Sequence, residues 1–140
     1  EAVGAVNVAE EVQTDNQVSV NMEQVYAWNP SMIFISNFTA AQPTDLYTNG
    51  IGNYDWSATQ AVQEKQVFKM PLGMYRSYTP GVDTPVTLLW FAKTTYPELF
   101  EDIDMVQETK DYYKEVFGVE LTDAQAASIF APDAQAGMGF

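Results

Sequence analysis

Two short apolar segments separated by a helical pattern place the strongest constraint on the fold of this chain. The segments Met32–Ser36 and Gln66–Met70 are rich in β-branched and aromatic residues and end in turn-forming residues, which predicts two buried strands. Between them, Asp55 stands where the N-cap of a helix from Trp56 to about Glu64 would be. A strand, a helix and a second strand in this order predict two parallel strands with functional loops at their carboxyl ends.

Capping and periodicity patterns predict four further helices, which makes the carboxyl-terminal half rich in helix. Pro85, after Thr84, predicts a helix that is apolar on nearly all sides, so we expect it to be buried. We therefore predict an α/β fold with three layers, in which helices flank a small, mainly parallel sheet. The first of the four helices is expected from Met22 to about Trp28, with Asn21 as its N-cap, and the second from Pro85 to before Pro97, with Thr84 as its N-cap. The third is expected from Met105 to Phe117, with Gly118 as its C-cap, and the last begins at a capping box of Thr122 and Gln125 and stops at Pro132.

The composition excludes several classes of function. With 140 residues, 46% of them apolar, the chain is one globular domain or a piece of one. Nineteen acids against 6 bases give a net charge of -13, which repels nucleic acids and anionic lipid surfaces. The sequence has no Cys and no His, so thiol nucleophiles, Ser-His-Asp triads and zinc sites built from those residues are excluded. No export signal or membrane span is recognisable, and we expect any export signal to lie outside these residues.

The segment from Met70 to Gly81 is the strongest candidate for a binding site. It follows the second predicted strand, where open α/β sheets bind their ligands, and it contains Arg76, the only arginine of the chain. A guanidinium group among Tyr and Met residues suits a carboxylate, catecholate or phosphate group. The alternative is that Arg76 forms a surface ion pair with one of the nineteen acids.

Three other candidate sites in the sequence also have interpretations that involve no ligand or modification. Four aromatic residues near the first strand could line a pocket, although loop aromatics more often pack back onto the sheet. The acidic stretch at 101–104 is expected to be a solvated helix start rather than a cation site. The triplet at 37–39 fits the glycosylation pattern, which also occurs by chance. The four aromatic residues are Phe38, Tyr47, Tyr54 and Trp56.

Segments spread in order over about residues 7–131 resemble the carboxyl-terminal lobe of the bacterial ABC-importer solute-binding proteins for iron-siderophore, heme and cobalamin. The first is Ser19–Ile35, which contains Glu23-Gln24, an apolar helix, Asn29-Pro30 and an apolar strand. The others are Asp55–Ala58, Ala61-Val62, Val67–Gly73, Thr84–Lys93, Tyr96–Phe100 and Lys110–Tyr113.

The resemblance implies a function for the whole chain. Residues 1–140 would be the carboxyl-terminal lobe of a bilobal receptor whose amino-terminal lobe is absent from this chain. The receptor would capture a ferric-siderophore-type metal chelate outside the cytoplasmic membrane and deliver it to the permease subunits of an ABC transporter. It would be neither an enzyme nor dependent on a cofactor, and the chelator would hold the metal. A lipid anchor outside this chain would attach it to the membrane, and an unpaired strand edge would incline the lobe to dimerise.

The resemblance also implies particular site residues. Glu23 matches the family's lobe-surface acid, which docks into arginines of the permease. The residues implied to bind the ligand follow the two strands: Ser36, Asn37, Phe38, Met74, Tyr75, Arg76 and Tyr78. None of these residues is implied to ligate a metal directly.

Two alternatives stay open at the level of sequence. One is an enzyme that acts on an acidic or sugar substrate through paired carboxylates such as Asp45 and Asp55, and a raised pKa near 6 for either group would support it. The other is the same binding fold serving heme or cobalamin in place of a siderophore.

Overall fold

The computed structural model describes residues 3–12, 18–76 and 80–136, which divide into two compact units. Of the described residues, the first unit contains 6–12, 18–35 and 41–68, and the second contains 3–5, 36–40, 69–76 and 80–136. The predicted α/β class is confirmed, because several helices accompany a small parallel sheet of two strands. No helix in these ranges is both long enough and apolar enough to cross a bilayer.

The two predicted strands form the sheet. Strand β1 is Ile33–Ile35 and strand β2 is Val67–Lys69, and the Ile33 amide donates to the Gln66 carbonyl over 3.0 Å. The apolar core of the first unit surrounds the sheet because both strands consist largely of β-branched and aromatic residues. Its buried members are Ile35, Leu46, Ala61, Val62 and Val67, with Ile33, Ala41, Tyr47, Ile51 and Trp56 packed against them.

Helix α1, Met22–Trp28, forms as its capping pattern predicts. The Asn21 side-chain oxygen accepts a hydrogen bond from the Gln24 amide over 2.8 Å, which satisfies one of the unpaired donors of the first turn. Asn29 ends the helix in the left-handed conformation, with φ at 41°.

The prediction of one continuous helix from Trp56 to about Glu64 is wrong. Asp55 does cap the segment, but the helix divides into a 3-10 turn at Trp56–Ala58 and helix α3 at Gln60–Gln63. The cause is Thr59, a fully buried β-branched residue in extended conformation, whose hydroxyl donates to the Trp56 carbonyl over 2.7 Å. That local hydrogen bond competes with a continuous helix.

Helix α2, Pro43–Tyr47, was not predicted from the sequence. Gln42 and Asp45 form a reciprocal capping box at its start, in which the Gln42 amide donates to the Asp45 carboxylate over 2.8 Å. Gln is an uncommon residue at an N-cap, so the start of α2 is marked in the sequence chiefly by Pro43 at the first helical position.

Helix α4, Thr84–Thr95, departs from its prediction in two ways. Asp83, rather than Thr84, occupies the N-cap position, and its side chain makes no capping hydrogen bond. The expected burial is also wrong: Val86 and Thr87 are the buried residues of α4, and Leu88 is 40% exposed. Within the second unit α4 packs on helix α5, Met105–Phe117, and on the 3-10 turn Pro97–Leu99, and residues 89–95 of α4 are only partly buried.

Helix α5 begins and ends where the sequence predicts, and helix α6 begins where it predicts and ends at Phe130, two residues before Pro132. The Asp104 carboxylate caps α5, and Gly118 ends it with φ at 66°. Helix α6, Asp123–Phe130, begins with the predicted capping box, in which Thr122 and Gln125 exchange hydrogen bonds. These ends depend on contacts within three or four residues, so a local pattern predicts them well.

Replacing Gly118 by Ala is expected to lower the free energy of unfolding by about 1 kcal/mol, because a side chain in the left-handed region is strained. Nothing lies within 4 Å of the added methyl group, so the cost is conformational alone. Urea denaturation measures this loss of unfolding free energy. Gly118→Asn is the matched variant and should recover most of the loss, since Asn tolerates this conformation. An equal loss in both variants would contradict this explanation.

Candidate functional site

The segments that follow the two strands are joined by buried hydrogen bonds in the second unit. The Lys69 ammonium, at the end of β2, donates to the Ser36 carbonyl over 3.0 Å and to the Thr39 carbonyl over 2.6 Å. The Asn37 side-chain amide donates to the Met70 carbonyl over 2.8 Å. Lys69 is only 7% exposed, so these charge-assisted bonds are shielded from water. The loop after β1 is thereby fixed to the loop after β2.

Asn37 is inside the molecule rather than at its surface. Its side chain is 0% exposed, so the glycosylation pattern at 37–39 does not mark an accessible acceptor. Its side-chain oxygen is also buried and has no hydrogen-bond partner among the described residues. The structure therefore places this predicted site residue where it supports the two loops, and Ser36 beside it is half-buried.

The loop after β2 closes into a tight turn. The Leu72 amide donates to the Ile129 carbonyl at the end of α6 over 2.8 Å, and Leu72 pairs with Arg76 in an antiparallel bridge. The residues enclosed by that bridge are presented outward, with Met74 58% exposed and Tyr75 47% exposed. The turn brings two predicted site residues to the surface on a backbone that is fixed at both ends.

The buried carboxylate of Asp83 fixes the turn through hydrogen bonds. Asp83 is 7% exposed, and its Oδ2 atom accepts hydrogen bonds from the Met74 amide over 2.8 Å and from the Tyr113 hydroxyl over 3.2 Å. Burial, followed by the charge of Asp83, raises the pKa of Tyr113 to about 12. The sequence analysis assigned no site role to Lys69, Asp83 or Tyr113, because the groups that they bind lie outside their local sequence.

Arg76 lies over aromatic rings of the same unit. Its guanidinium carbon is 4.5 Å from the centroid of the Phe38 ring and 5.8 Å from that of Tyr75. These are cation–π distances, and Phe38 remains 42% exposed. We call Phe38, Met74, Tyr75 and Arg76 the cation–aromatic face. It offers an anionic ligand a planar cation and ring surface, and the sequence analysis had not predicted that Arg76 stacks on Phe38.

The remaining predicted residues lie elsewhere. Tyr78 is outside the described residues. Glu23 is exposed in the first turn of α1, in the first unit. Two of the loop aromatics pack back onto the core: Tyr47 bonds to the Val67 carbonyl over 3.4 Å and Trp56 to the Ile51 carbonyl over 3.0 Å. Tyr54 is 50% exposed.

The acidic residues proposed for other roles act as helix caps. Asp45 belongs to the capping box of α2, and Asp55 caps the turn at Trp56. A hydrogen bond from the Ser57 side chain lowers the pKa of Asp55, which is opposite to what a general acid needs. Asp104 starts α5 as expected, and the described ranges contain no group of three acidic, His or Cys residues placed to hold a metal.

Alkaline pH is expected to destabilise the protein through Tyr113. Because its pKa is raised in the folded state, its contribution to stability is complete below pH 10 and declines as the pH rises to about 12. In that range the unaltered chain should lose about 1 to 2 kcal/mol of unfolding free energy through Tyr113, and Tyr113→Phe should not show this loss. Urea denaturation at several pH values measures it. Tyr112→Phe is the matched control, because the Tyr112 hydroxyl bonds to a backbone carbonyl, and absence of the loss in that variant as well would contradict the assignment.

Comparison with known proteins relates the chain to solute-binding proteins. It is 31% identical over 134 residues to the molybdate-binding protein MolA of Haemophilus influenzae, a match that covers 91% of this chain. A periplasmic solute-binding protein from Veillonella parvula has a TM-score of 0.85 and 30% identity over 92% of this chain. The Helicobacter pylori protein CeuE, crystallised with nickel(II) bound, has a TM-score of 0.71 and 27% identity over 91% of this chain. No model of a protein family matches the sequence.

The matches cover only part of each similar protein. The chain spans 35% of the length of MolA and 39% of the length of each of the two crystallised chains. Two of the three similar proteins are named for binding, one for molybdate and one for a periplasmic solute. The chain therefore has the fold of a part of such a protein.

Proposed function

We propose that this chain is the carboxyl-terminal lobe of a solute-binding protein of an ABC importer, located outside the cytoplasmic membrane. Its length relative to the similar proteins and its fold support this proposal. In this proposal the cation–aromatic face binds an anionic metal chelate of the ferric-siderophore type. The observation that carries the ligand class is the Arg76 guanidinium stacked on the exposed Phe38 ring, beside Tyr75.

The shape of the face favours a bulky anion over a small one. Phe38, Met74 and Tyr75 are each more than 40% exposed, so they offer a broad apolar surface beside one cation. A catecholate chelate carries both flat rings and negative charge, and it can use ring contacts and the guanidinium together. The chelator supplies the donor atoms for the metal, which is compatible with a chain that has no His and no Cys.

Molybdate is the second candidate, because the relative with 31% identity is named for binding it. A small oxyanion is held best by several converging N–H donors. In the turn after β2, the Met74 amide is already used by Asp83 and the Leu72 amide by Ile129. For that reason we rank the oxyanion below the chelate.

Glu23 is the proposed contact with the permease. It is exposed in the first turn of α1, where the helix dipole favours a negative charge. An exposed carboxylate of this kind can pair with an arginine of a partner without moving a buried group. Charge reversal by Glu23→Lys should therefore impair delivery to the permease and leave ligand affinity unchanged.

Isothermal titration of the chain with four probes tests the proposed ligand class. The probes are ferric catecholate, heme, cobalamin and sodium molybdate. We expect heat of binding with ferric catecholate and none with cobalamin, which lacks the anionic flat rings. Binding of molybdate alone would replace the proposed ligand with the second candidate, and no response to any probe would refute the ligand class.

A further inference from the structure

We infer that Asp83 and Tyr113 are positioning residues of the ligand site: together they fix the turn that presents Met74, Tyr75 and Arg76. This inference rests on the proposed function, since it assigns a role to residues beneath the proposed cation–aromatic face. Neither residue belongs to that face, and both are at least 90% buried. Their contribution to binding would be made through the backbone of the turn.

The carboxylate of Asp83 is used in an unusual way. Aspartate at the N-cap of a helix ordinarily accepts hydrogen bonds from the first amides of that helix, as Asp104 does for α5 over 2.9 and 3.3 Å. Asp83 holds the same position in α4, yet its side chain makes no capping bond there. Its Oδ2 atom instead accepts from the Met74 amide. Helix α4 thus lacks its side-chain cap, and the turn gains a charge-assisted hydrogen bond.

Asp83 approaches the backbone of the turn so closely at Gly73 that a side chain there would collide with it. A methyl group added at Gly73 would overlap Asp83 Oδ2 and would lie 2.9 Å from the Tyr113 hydroxyl oxygen. The absence of a side chain at Gly73 therefore lets the carboxylate approach the backbone of the turn closely. Tyr113, donating to the same oxygen from α5, fixes the carboxylate in that place.

The hydrogen bond that fixes the Met74 amide also restrains Arg76, which lies in the same turn. Leu72 is anchored to α6 through its amide and pairs with Arg76, so the backbone of the turn is held at its two ends and in its middle. Arg76 stacks on Phe38, whose loop is itself fixed by Lys69 and Asn37. If the hold on Met74 is lost, the guanidinium and the Tyr75 ring lose their fixed relation to Phe38. Such preorganisation raises affinity by lowering the cost of ordering the site when the ligand binds.

The test compares four variants of the full 140-residue chain by two measurements. The variants are Asp83→Ala, Asp83→Asn, Tyr113→Phe and, as the matched control, Asp104→Ala. The control removes a helix cap of the same unit whose hydrogen bonds go to the first amides of α5 and not to the turn. The first measurement is amide hydrogen exchange by NMR at Met74 and Arg76. The second is the Kd for ferric catecholate together with the urea midpoint.

We expect Asp83→Ala to speed exchange at Met74 by about 10-fold or more and to weaken ferric catecholate binding by about 10-fold, as displaced site groups do. Asp83→Asn keeps an acceptor oxygen of the same shape and should retain most of the affinity. Tyr113→Phe keeps the fold and should show an intermediate loss. Asp104→Ala should lower the urea midpoint without changing Met74 exchange or the Kd.

Two results would overturn the inference. One is unchanged exchange at Met74 in Asp83→Ala and Tyr113→Phe. The other is an equal loss of affinity in Asp83→Ala and Asp104→Ala, which would show an effect of stability alone. If the unaltered chain does not bind ferric catecholate, the proposed ligand class fails, and the exchange at Met74 and Arg76 alone decides whether Asp83 and Tyr113 position the turn.

Discussion

Replacing Gly73 by Ala is expected to lower the free energy of unfolding by about 3 kcal/mol, combining overpacking with the disruption of buried hydrogen bonds. The added methyl group would overlap Asp83 Oδ2, and this carboxylate cannot retreat without giving up the Met74 amide and the Tyr113 hydroxyl. The neighbour that must move is therefore a buried, charged group with fixed partners. Ligand affinity should fall as well, since the turn that carries Arg76 must shift.

Urea denaturation of Gly73→Ala beside Gly118→Ala measures the effect of crowding. The Gly118 variant introduces the same methyl group where nothing lies within 4 Å, so its cost of about 1 kcal/mol is that of backbone strain alone. The two variants share the same chemistry and differ in their surroundings. If Gly73→Ala costs no more than Gly118→Ala, the close approach of Asp83 to the turn is not a feature of the protein in solution.

Replacing Arg76 by Ala is expected to weaken ferric catecholate binding by about 100-fold, because a charge-assisted hydrogen bond and a ring-stacked cation are lost together. Arg76→Lys keeps the charge without the planar guanidinium, so we expect a loss of about 10-fold. High salt should reduce the difference between Arg76→Ala and the unaltered chain, since part of the attraction is electrostatic.

Isothermal titration measures these affinities, and Lys114→Ala is the matched control for charge. Lys114 pairs with Glu120 at the surface and is 66% exposed, so its removal changes the net charge equally without touching either loop. We expect the Kd of this variant to stay within about 2-fold of the unaltered value. A similar loss in Lys114→Ala and Arg76→Ala would mean that overall charge governs binding.

The sequence predicted the elements whose signals are local. The limits of α1, α5 and α6 follow from caps such as Asn21, Asp104 and Gly118, which act within three or four residues. The predicted helix between the strands failed because Thr59 bonds back to Trp56, and only its burial in the fold selects that arrangement. Local patterns therefore predict where a helix can begin more reliably than whether it continues.

The candidate site was predicted only in part for a related reason. Arg76 could be singled out because it is the sole arginine of an acidic chain. The groups that hold its loop act over long sequence separations, which are 33 positions for Ser36 and Lys69 and 30 positions for Asp83 and Tyr113. A lysine within the apolar strand β2 was a usable signal for a buried ammonium, but no pattern identified Asp83 as a buried acceptor rather than a helix cap.

The central claim is that the cation–aromatic face contacts an anionic metal chelate. NMR titration of the isotope-labelled chain with gallium(III) catecholate, a diamagnetic counterpart of the ferric complex, tests it most directly. We expect the largest chemical-shift changes at residues 36–38 and 72–76, and no saturable change at the control position Lys114. Saturable changes confined to other parts of the chain, or none at any concentration of the chelate, would contradict the claim.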